Sequence, residues 1–310
     1  MTSLRYFLAL SFLSATTWSC ADDSMPELPP IPHHIATFGS WGNDPGEFEY
    51  PEGIALGPDS LLYITDSVNH RIQVITREGT FVRQWPVGGF GSTIRVAPDS
   101  SVWVAMDSRE NPLHYTKEGK LIETQDHVNR VYGYELDSSG NLYVCGSRVH
   151  RPDPYHTFVE GPYFWKFNHE LQLVKKWGYP GQSDTTGWLG GPMTWTLHGN
   201  LLMLGQIDSS TAVFEFTPDG TAVSSWKIPN VTLTSSDIAC DRNGRILISS
   251  PYQGLVYVFG SRGRLLLSFN DVSSREEPLK MPTGITVDMS GFIYVVDFAR
   301  FRIVKYEEAP

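Results

Sequence analysis

Cysteine is scarce. The 310 residues hold three, Cys20, Cys145 and Cys240. With Cys20 in an N-terminal targeting segment, the other two fall on strands of repeats that are not neighbours. This excludes a disulfide-stapled scaffold and leaves two small buried hydrophobes. Basic residues are also few: 24 Lys and Arg stand against 34 Asp and Glu, for a net charge of −10. Removing residues 1–19 deletes Arg5 and no acid, so the remainder carries 23 − 34 = −11. An acidic surface argues against nucleic acid and against anionic lipid head groups as partners. Long apolar runs are absent, since Tyr6 to Ala15 is too short to span a bilayer. There is no Gly-x-Ser-x-Gly elbow, and neither core cysteine has a histidine close in sequence, which removes the usual signatures of nucleophilic catalysis.

What is present is a repeat. Pro51 to Trp85 reads as four short strands separated by turns at Gly57-Pro58-Asp59-Ser60, after Asp66, and at Arg77-Glu78-Gly79. Such a meander is too small to bury both of its apolar faces alone. Its second strand recurs as Val102-Trp103-Val104, Leu142-Tyr143-Val144, Leu201-Leu202-Met203, Ile246-Leu247-Ile248 and Ile293-Tyr294-Val295. The central residues 62, 103, 143, 202, 247 and 293 are spaced by 41, 40, 59, 45 and 46. Outermost strands recur too, ending at Trp85, Thr124, Trp177, Trp226 and Phe269. A period in the forties with four strands per unit predicts a β-propeller, and six inner triplets predict six blades. The last unit, through Arg302 to Tyr306, lacks an outermost strand, whereas Ile35 to Phe38 is an outermost strand without a blade. The expectation is an all-β, closed six-bladed propeller of four-stranded antiparallel blades over residues 35–310. Its N-terminal strand completes the last blade and leaves no open sheet edge.

Pro51 to Trp85 resembles an NHL repeat, with Pro51-Glu52-Gly53-Ile54-Ala55, Asp66 and Asn69-His70-Arg71-Ile72 on its pattern. Pro282, Gly284, Ile285, Asp297 and Arg302-Ile303 match in the last blade. Met106, Gly146, Gly205 and Ser250 stand where Asp66 stands, so the middle blades keep the strands and lose the signature. The resemblance implies the fold and is nearly silent on function.

Residues 1–20 read as a signal segment and 21–34 as a spacer carrying Pro26, Pro29, Pro30 and Pro32, of the kind that holds a domain off a surface. Two processing routes are weighed. Cys20 becomes a lipid-bearing N-terminus, favoured by the spacer, or the chain is cleaved after Ala21 and secreted. The expected location is the cell envelope, with the membrane reached only through the lipid, and a monomer is expected.

In this strand order, the loops between second and third strands open on the same face as the loops between blades. That face surrounds the mouth of the central channel, and long loops on a rigid scaffold are where binding residues gather. Three loops there are oversized: Ser147 to Pro162, Tyr179 to Pro192, and Asn270 to Pro282. Arg130, Tyr132, Arg148, His150, Arg151, Tyr155 and Trp188 form a candidate cationic and aromatic cluster for a protein partner or for an anionic or carbohydrate-like ligand. His150 and His156, with Asp153 between, are weighed as a partial zinc site, but solvated loop histidines are preferred. The peptidylglycine amidating lyases, which resemble this fold, use histidines at the channel mouth. Comparable positions here are Glu52, Ser92, Tyr132, Met193, Ser236 and Thr283, with no histidine triad. The similar gluconolactonase-like propellers imply one divalent cation, for which Glu52 and Asp237 are the candidate ligands. Asp66 with Arg71 and Asp297 with Arg302 read as ion pairs that fix loops, ahead of ligand clamps. The favoured function is a binding or scaffolding module without a cofactor. The alternative is a metal-assisted lyase or lactone hydrolase using calcium or zinc.

Overall fold

Strands of β-branched and aromatic residues between Gly- and Asp-rich turns dictate small twisted sheets, each apolar on both faces. The structure, a computed structural model, describes residues 29–106, 112–122, 128–153, 156–178, 190–228, 231, 237–261, 263–270 and 277–308. Six antiparallel sheets follow one another. Blade 1 runs Pro51–Leu56, Leu61–Asp66, Arg71–Thr76 and Phe81–Pro86. Blade 2 has Gly91–Val96, Val102–Met106 and Leu113–Tyr115, and a bridge from Tyr115 to Leu121 starts its outer edge. Blade 3 comprises Arg130–Leu136, Leu142–Asp153, His156–Phe167 and Leu173–Trp177. Blade 4 comprises Met193–Trp195, Leu201–Ile207, Ser210–Phe216 and Ala222–Lys227. Blade 5 comprises Ile238–Cys240, Ile246–Ser250, Leu255–Phe259 and Leu265–Phe269.

Blade 6 has Pro282–Val287, Phe292–Asp297 and Arg302–Glu307, and its fourth strand is His33–Phe38. That strand lies antiparallel to the chain's last one, with His33 opposite Glu307 and Phe38 opposite Ile303. It begins two residues earlier than the sequence indicated. Inner strands of consecutive blades touch, and the sixth touches the first, so the ring is closed.

The core is divided into six apolar clusters, each shared by two consecutive blades. Tyr63, Val74 and Trp85 pack on Ile94, Val102 and Tyr115, and the closing cluster joins Ile54, Leu62 and Ile64 to Tyr294, Val296 and Ile303. At about 1.5–3 kcal/mol for each fully buried Val, Leu or Ile side chain, no blade could leave such a face wet. A second lock repeats at the rim. The aromatic side chain of an outermost strand lies beneath the hairpin glycine of the next blade: Phe38 under Gly79, Trp85 under Gly119, Trp177 under Gly220 and Trp226 under Gly263. These glycines have φ between +74° and +87°, and a Cβ on any of them would overlap the ring below.

One sequence expectation is corrected. Residues 147–153 and 156–162 are no loop: the second and third strands of blade 3 continue as a two-stranded ribbon, with Val149 opposite Val159 and His150 opposite Phe158. Backbone pairing of Arg148 with Glu160, Val149 with Val159 and His150 with Phe158 carries the ribbon out to the prolines at 152 and 154, which suggested irregular chain.

Candidate binding face at the channel mouth

Two buried clamps organise this face. Asp66, fully buried, ends the second strand of blade 1. Its Oδ1 accepts from the Glu49 backbone N–H at 2.7 Å, and its Oδ2 accepts from Arg71 Nε at 2.7 Å, Asn69 Nδ2 at 2.9 Å and Gln73 Nε2 at 3.1 Å. Arg71 in turn donates to the carbonyls of Asn43 at 2.7 Å, Glu47 at 2.9 Å and Asp44 at 3.2 Å. The pair therefore holds the connection from blade 6 to blade 1. Blade 6 repeats the device. Asp297 accepts from the Lys280 and Met281 N–H groups at 3.1 and 3.0 Å and from Arg302 Nε at 3.1 Å, and Arg302 donates to the Glu277 carbonyl at 2.6 Å. With every partner supplied, these charges are compensated, and removing one member would strand the other.

The clamps present aromatic residues in a costly backbone state. Tyr50, His70 and Phe301 have φ of +52°, +50° and +56°. The left-handed region disfavours bulky side chains by about 1–3 kcal/mol, and such residues persist only where their surroundings fix them. Tyr50 follows the clamped loop, while His70 and Phe301 immediately precede Arg71 and Arg302. The Tyr50 ring meets Phe298 at 4.9 Å and Phe301 at 5.0 Å between centroids, and His70 meets Phe90 at 4.7 Å. Of these rings Phe90 is 49% exposed and Tyr50 39%, and Trp41, at the start of the clamped loop, is 67% exposed.

The axis itself is shut. In register with Ile54 of blade 1 stand Ile94, Tyr134, Met193, Ile238 and Ile285. One residue earlier, a Cβ on Gly53, Gly133 or Gly284 would overlap the carbonyl oxygen of Ser92, Gly191 or Glu52 on the next inner strand. Backbones therefore meet directly where blade 1 adjoins blade 2, blade 3 adjoins blade 4 and blade 6 adjoins blade 1. Arg95 of blade 2 then reaches across. Its Nε donates to Glu135 Oε2 at 2.8 Å, and its Nη2 donates to Asp237 Oδ1 at 3.1 Å and to the Met193 carbonyl at 3.0 Å. Asp237 also accepts from the N–H groups of Ile238 at 2.9 Å and Ile285 at 3.3 Å. Asp237 belongs to blade 5, opposite blade 2 in a ring of six, so this ion pair spans the axis. Burial works against the Arg95 charge, but Asp237 and Glu135 more than offset it and hold its proton tighter than in water. Burial pushes Glu135 up, with Arg95 pulling the other way.

The residues singled out from sequence separate into groups. Arg130 and Tyr132 open blade 3 together, the guanidinium carbon 5.8 Å from the ring centroid and Tyr132 Oη 3.3 Å from Ser147 Oγ. Arg148 opposes Glu160 on the ribbon, and Lys176, with Arg148 and His150 beyond, holds Glu160 below the usual carboxylate range. Thr283 Oγ1 donates to the Glu52 carbonyl at 2.8 Å. Tyr155, Trp188, Ser236 and Cys20 lie outside the described residues, and of Arg151, Asp153 and His156 only the backbone is described. Met193 is not the counterpart of Glu52, because its pairing with Met203 matches that of Ile54 with Ile64, which makes Gly191 the counterpart. Among the described residues no three His, Cys, Asp or Glu side chains converge. Asp237 Oδ1 already receives Arg95 and the Ile238 N–H, and Oδ2 the Ile285 N–H at 3.3 Å, so its charge is taken up across the axis by Arg95. Neither core cysteine is in a disulfide, and burial pushes their thiols up, to about 12 at Cys145 and about 11 at Cys240. Neither is a poised nucleophile.

Comparison with known proteins agrees with this geometry. The family model for the NHL repeat matches residues 48–75. A 57-residue stretch, 18% of this chain, is 42% identical to RING finger protein nhl-1 of Caenorhabditis elegans. A 125-residue stretch, 37% of the chain, is 25% identical to protein brain tumor of Drosophila melanogaster. These stretches span only 6% and 12% of the two relatives. Among solved structures, a gluconolactonase from Xanthomonas campestris superposes with a TM-score of 0.60 at 13% identity, over 91% of this chain and 99% of that one. A streptogramin B lyase gives 0.55 at 12% identity, over 90% and 87%. A protein of unknown function from Bacteroides thetaiotaomicron gives 0.61 at 18% identity, over 88% and 76%. At such identities the likeness is one of fold.

Proposed function

We propose that this chain, a six-bladed β-propeller carrying an NHL repeat, is an exported binding module that engages a protein partner with the mouth face of blades 6 and 1. One observation carries the reading: the two satisfied clamps hold Tyr50, His70 and Phe301 in the left-handed region and leave aromatic surface wet. Aromatic anchors on a rigid frame are what protein interfaces use. The metal-assisted alternative has less support, because the Asp237 oxygens are committed across the axis. Export rests on Met1 to Ala21, and a lipid on Cys20 would tether the propeller through the proline-rich spacer at residues 21–34. Mass spectrometry of the mature N-terminus tests the tether. Acylated Cys20 is expected, and a chain starting after Ala21 would refute it. Photoreactive residues at Tyr50, His70 or Phe301 test the face. They should give a discrete protein adduct in intact cells, whereas Leu197 and Met289, exposed on the opposite face, should not. Adducts from the opposite face alone would reject the reading.

A further inference from the structure

We infer that the partner presents a basic, arginine-bearing segment, which binds over Trp41 and Tyr50 on the connection between blades 6 and 1. The inference rests on the mouth-face reading and adds the chemistry of what is bound. Between Arg5 and Arg71 the sequence contains no lysine or arginine. The connection from Gly39 to Tyr50 instead carries Asp44, Glu47 and Glu49, and none of the three has an ion-pair partner among the described residues. The nearest cation, Arg71 beneath the loop, is spent on Asp66 and on three carbonyls. Across the aromatic cluster Arg300 is held by Glu277, which leaves Lys280 as the cation of the far rim among the described residues.

In sequence the three acids lie between the two most accessible aromatic residues of the loop, Trp41 at 67% and Tyr50 at 39% exposure, and Glu47 Oε2 accepts the Asp44 N–H at 3.1 Å within the loop. A loop that carries exposed flat rings and acids suits a guanidinium, which stacks on a ring while its edge donates to a carboxylate. An ammonium does the second but stacks less well. The loop does not need to fold around the ligand. Trp41 is bridged to Phe48, whose side chain is buried beneath Gly39, and the Asp66 and Arg71 clamp fixes the backbone below. Little conformational entropy is therefore lost on binding.

The test uses the full chain and a (Arg-Gly-Ser)3 peptide, with lysine and glutamate analogues as controls. Affinity is read by calorimetry at 50 and 300 mM salt, and by the part of the tryptophan fluorescence change that Trp41→Phe removes. The arginine peptide should bind several-fold more tightly than the lysine one, and the glutamate one should not bind. Trp41→Ala combined with Tyr50→Asn, which tolerates the left-handed backbone, should weaken it by roughly tenfold. Asp44→Asn, Glu47→Gln and Glu49→Gln together should remove most of the salt dependence. Glu118→Gln with Glu170→Gln on the opposite face should change nothing. An unchanged urea midpoint for each variant keeps folding out of the comparison, and single substitutions replace any combination that shifts it. No binding, or equal losses from the opposite-face variant, would overturn the inference. If Tyr50 still gives an adduct in cells while the peptide fails to bind, the mouth-face reading stands and the arginine assignment falls.

Discussion

Replacing Arg95 by Met tests how the axis is closed. The guanidinium is nearly buried and is shared by Glu135 and Asp237, whose side chains are 14% and 9% exposed. Methionine fills much of the volume but leaves two carboxylates facing a closed channel. Asp237 keeps the Ile238 and Ile285 N–H groups and Glu135 keeps the Leu136 N–H at 2.9 Å, so neither is wholly abandoned. Removing one partner of a buried ion pair costs about 3–5 kcal/mol. For a domain of this size that corresponds to a fall in Tm of roughly 10 °C. The sign of the pH dependence follows from the same physics. In the variant Glu135, already pushed up by burial, loses the guanidinium that pulls it down, so the folded protein takes up its proton first as pH falls. The deficit should therefore be largest at pH 7 and shrink towards pH 5. Thermal and urea unfolding followed by tryptophan fluorescence at both pH values measures it. Adding Glu135→Gln and Asp237→Asn should recover most of the loss. A cost under about 1 kcal/mol, or a deficit neither relieved by acid nor by the triple variant, would refute the reasoning.

Other perturbations follow from the same contacts. Gly133→Ala drives a Cβ into the Gly191 carbonyl and should cost about 3 kcal/mol or more, read as a lowered urea midpoint. Asp66→Ala strands Arg71 and should cost about 3–5 kcal/mol, with faster proteolysis between residues 40 and 50 as the local readout. Glu308 is pushed up to about 7 by burial first and by Asp241 beside it, with Arg245 opposing. Its folded pKa lies above its unfolded one. The stability it contributes is therefore present below the ordinary carboxylate range and lost as pH rises through 7. The wild type should lose on the order of 3 kcal/mol at this site between pH 5 and pH 8, and Glu308→Gln should flatten that slope.

The ring was legible because its determinants are local. Each blade announces itself by a β-branched inner strand after an Asp- or Gly-rich turn, and an unmatched strand at each end of the domain implies closure. The blade 3 ribbon was less so, since its arms, residues 147–153 and 156–162, carry no period-two alternation and hold prolines near the tip. The axial network was not legible. It depends on Arg95, Glu135 and Asp237, which lie 40 and 102 residues apart and on three blades. It also depends on bulges that shift register within inner strands, as between Pro51 and Ile54. That slip is why Met193 passed for the counterpart of Glu52. The aromatic face had a faint signal, an aromatic residue before the clamp arginine in both signature blades, His70 and Phe301. Only backbone geometry reveals that both occupy the left-handed region.

Hydrogen exchange on the purified complex, formed with whichever protein the mouth-face adducts identify, tests the working surface most directly. Slowed exchange at residues 40–50, 67–70 and 298–301, with no change around Arg95, Glu135 and Asp237, is the predicted footprint. Protection concentrated on those axial residues, with the aromatic face left unprotected, would contradict it.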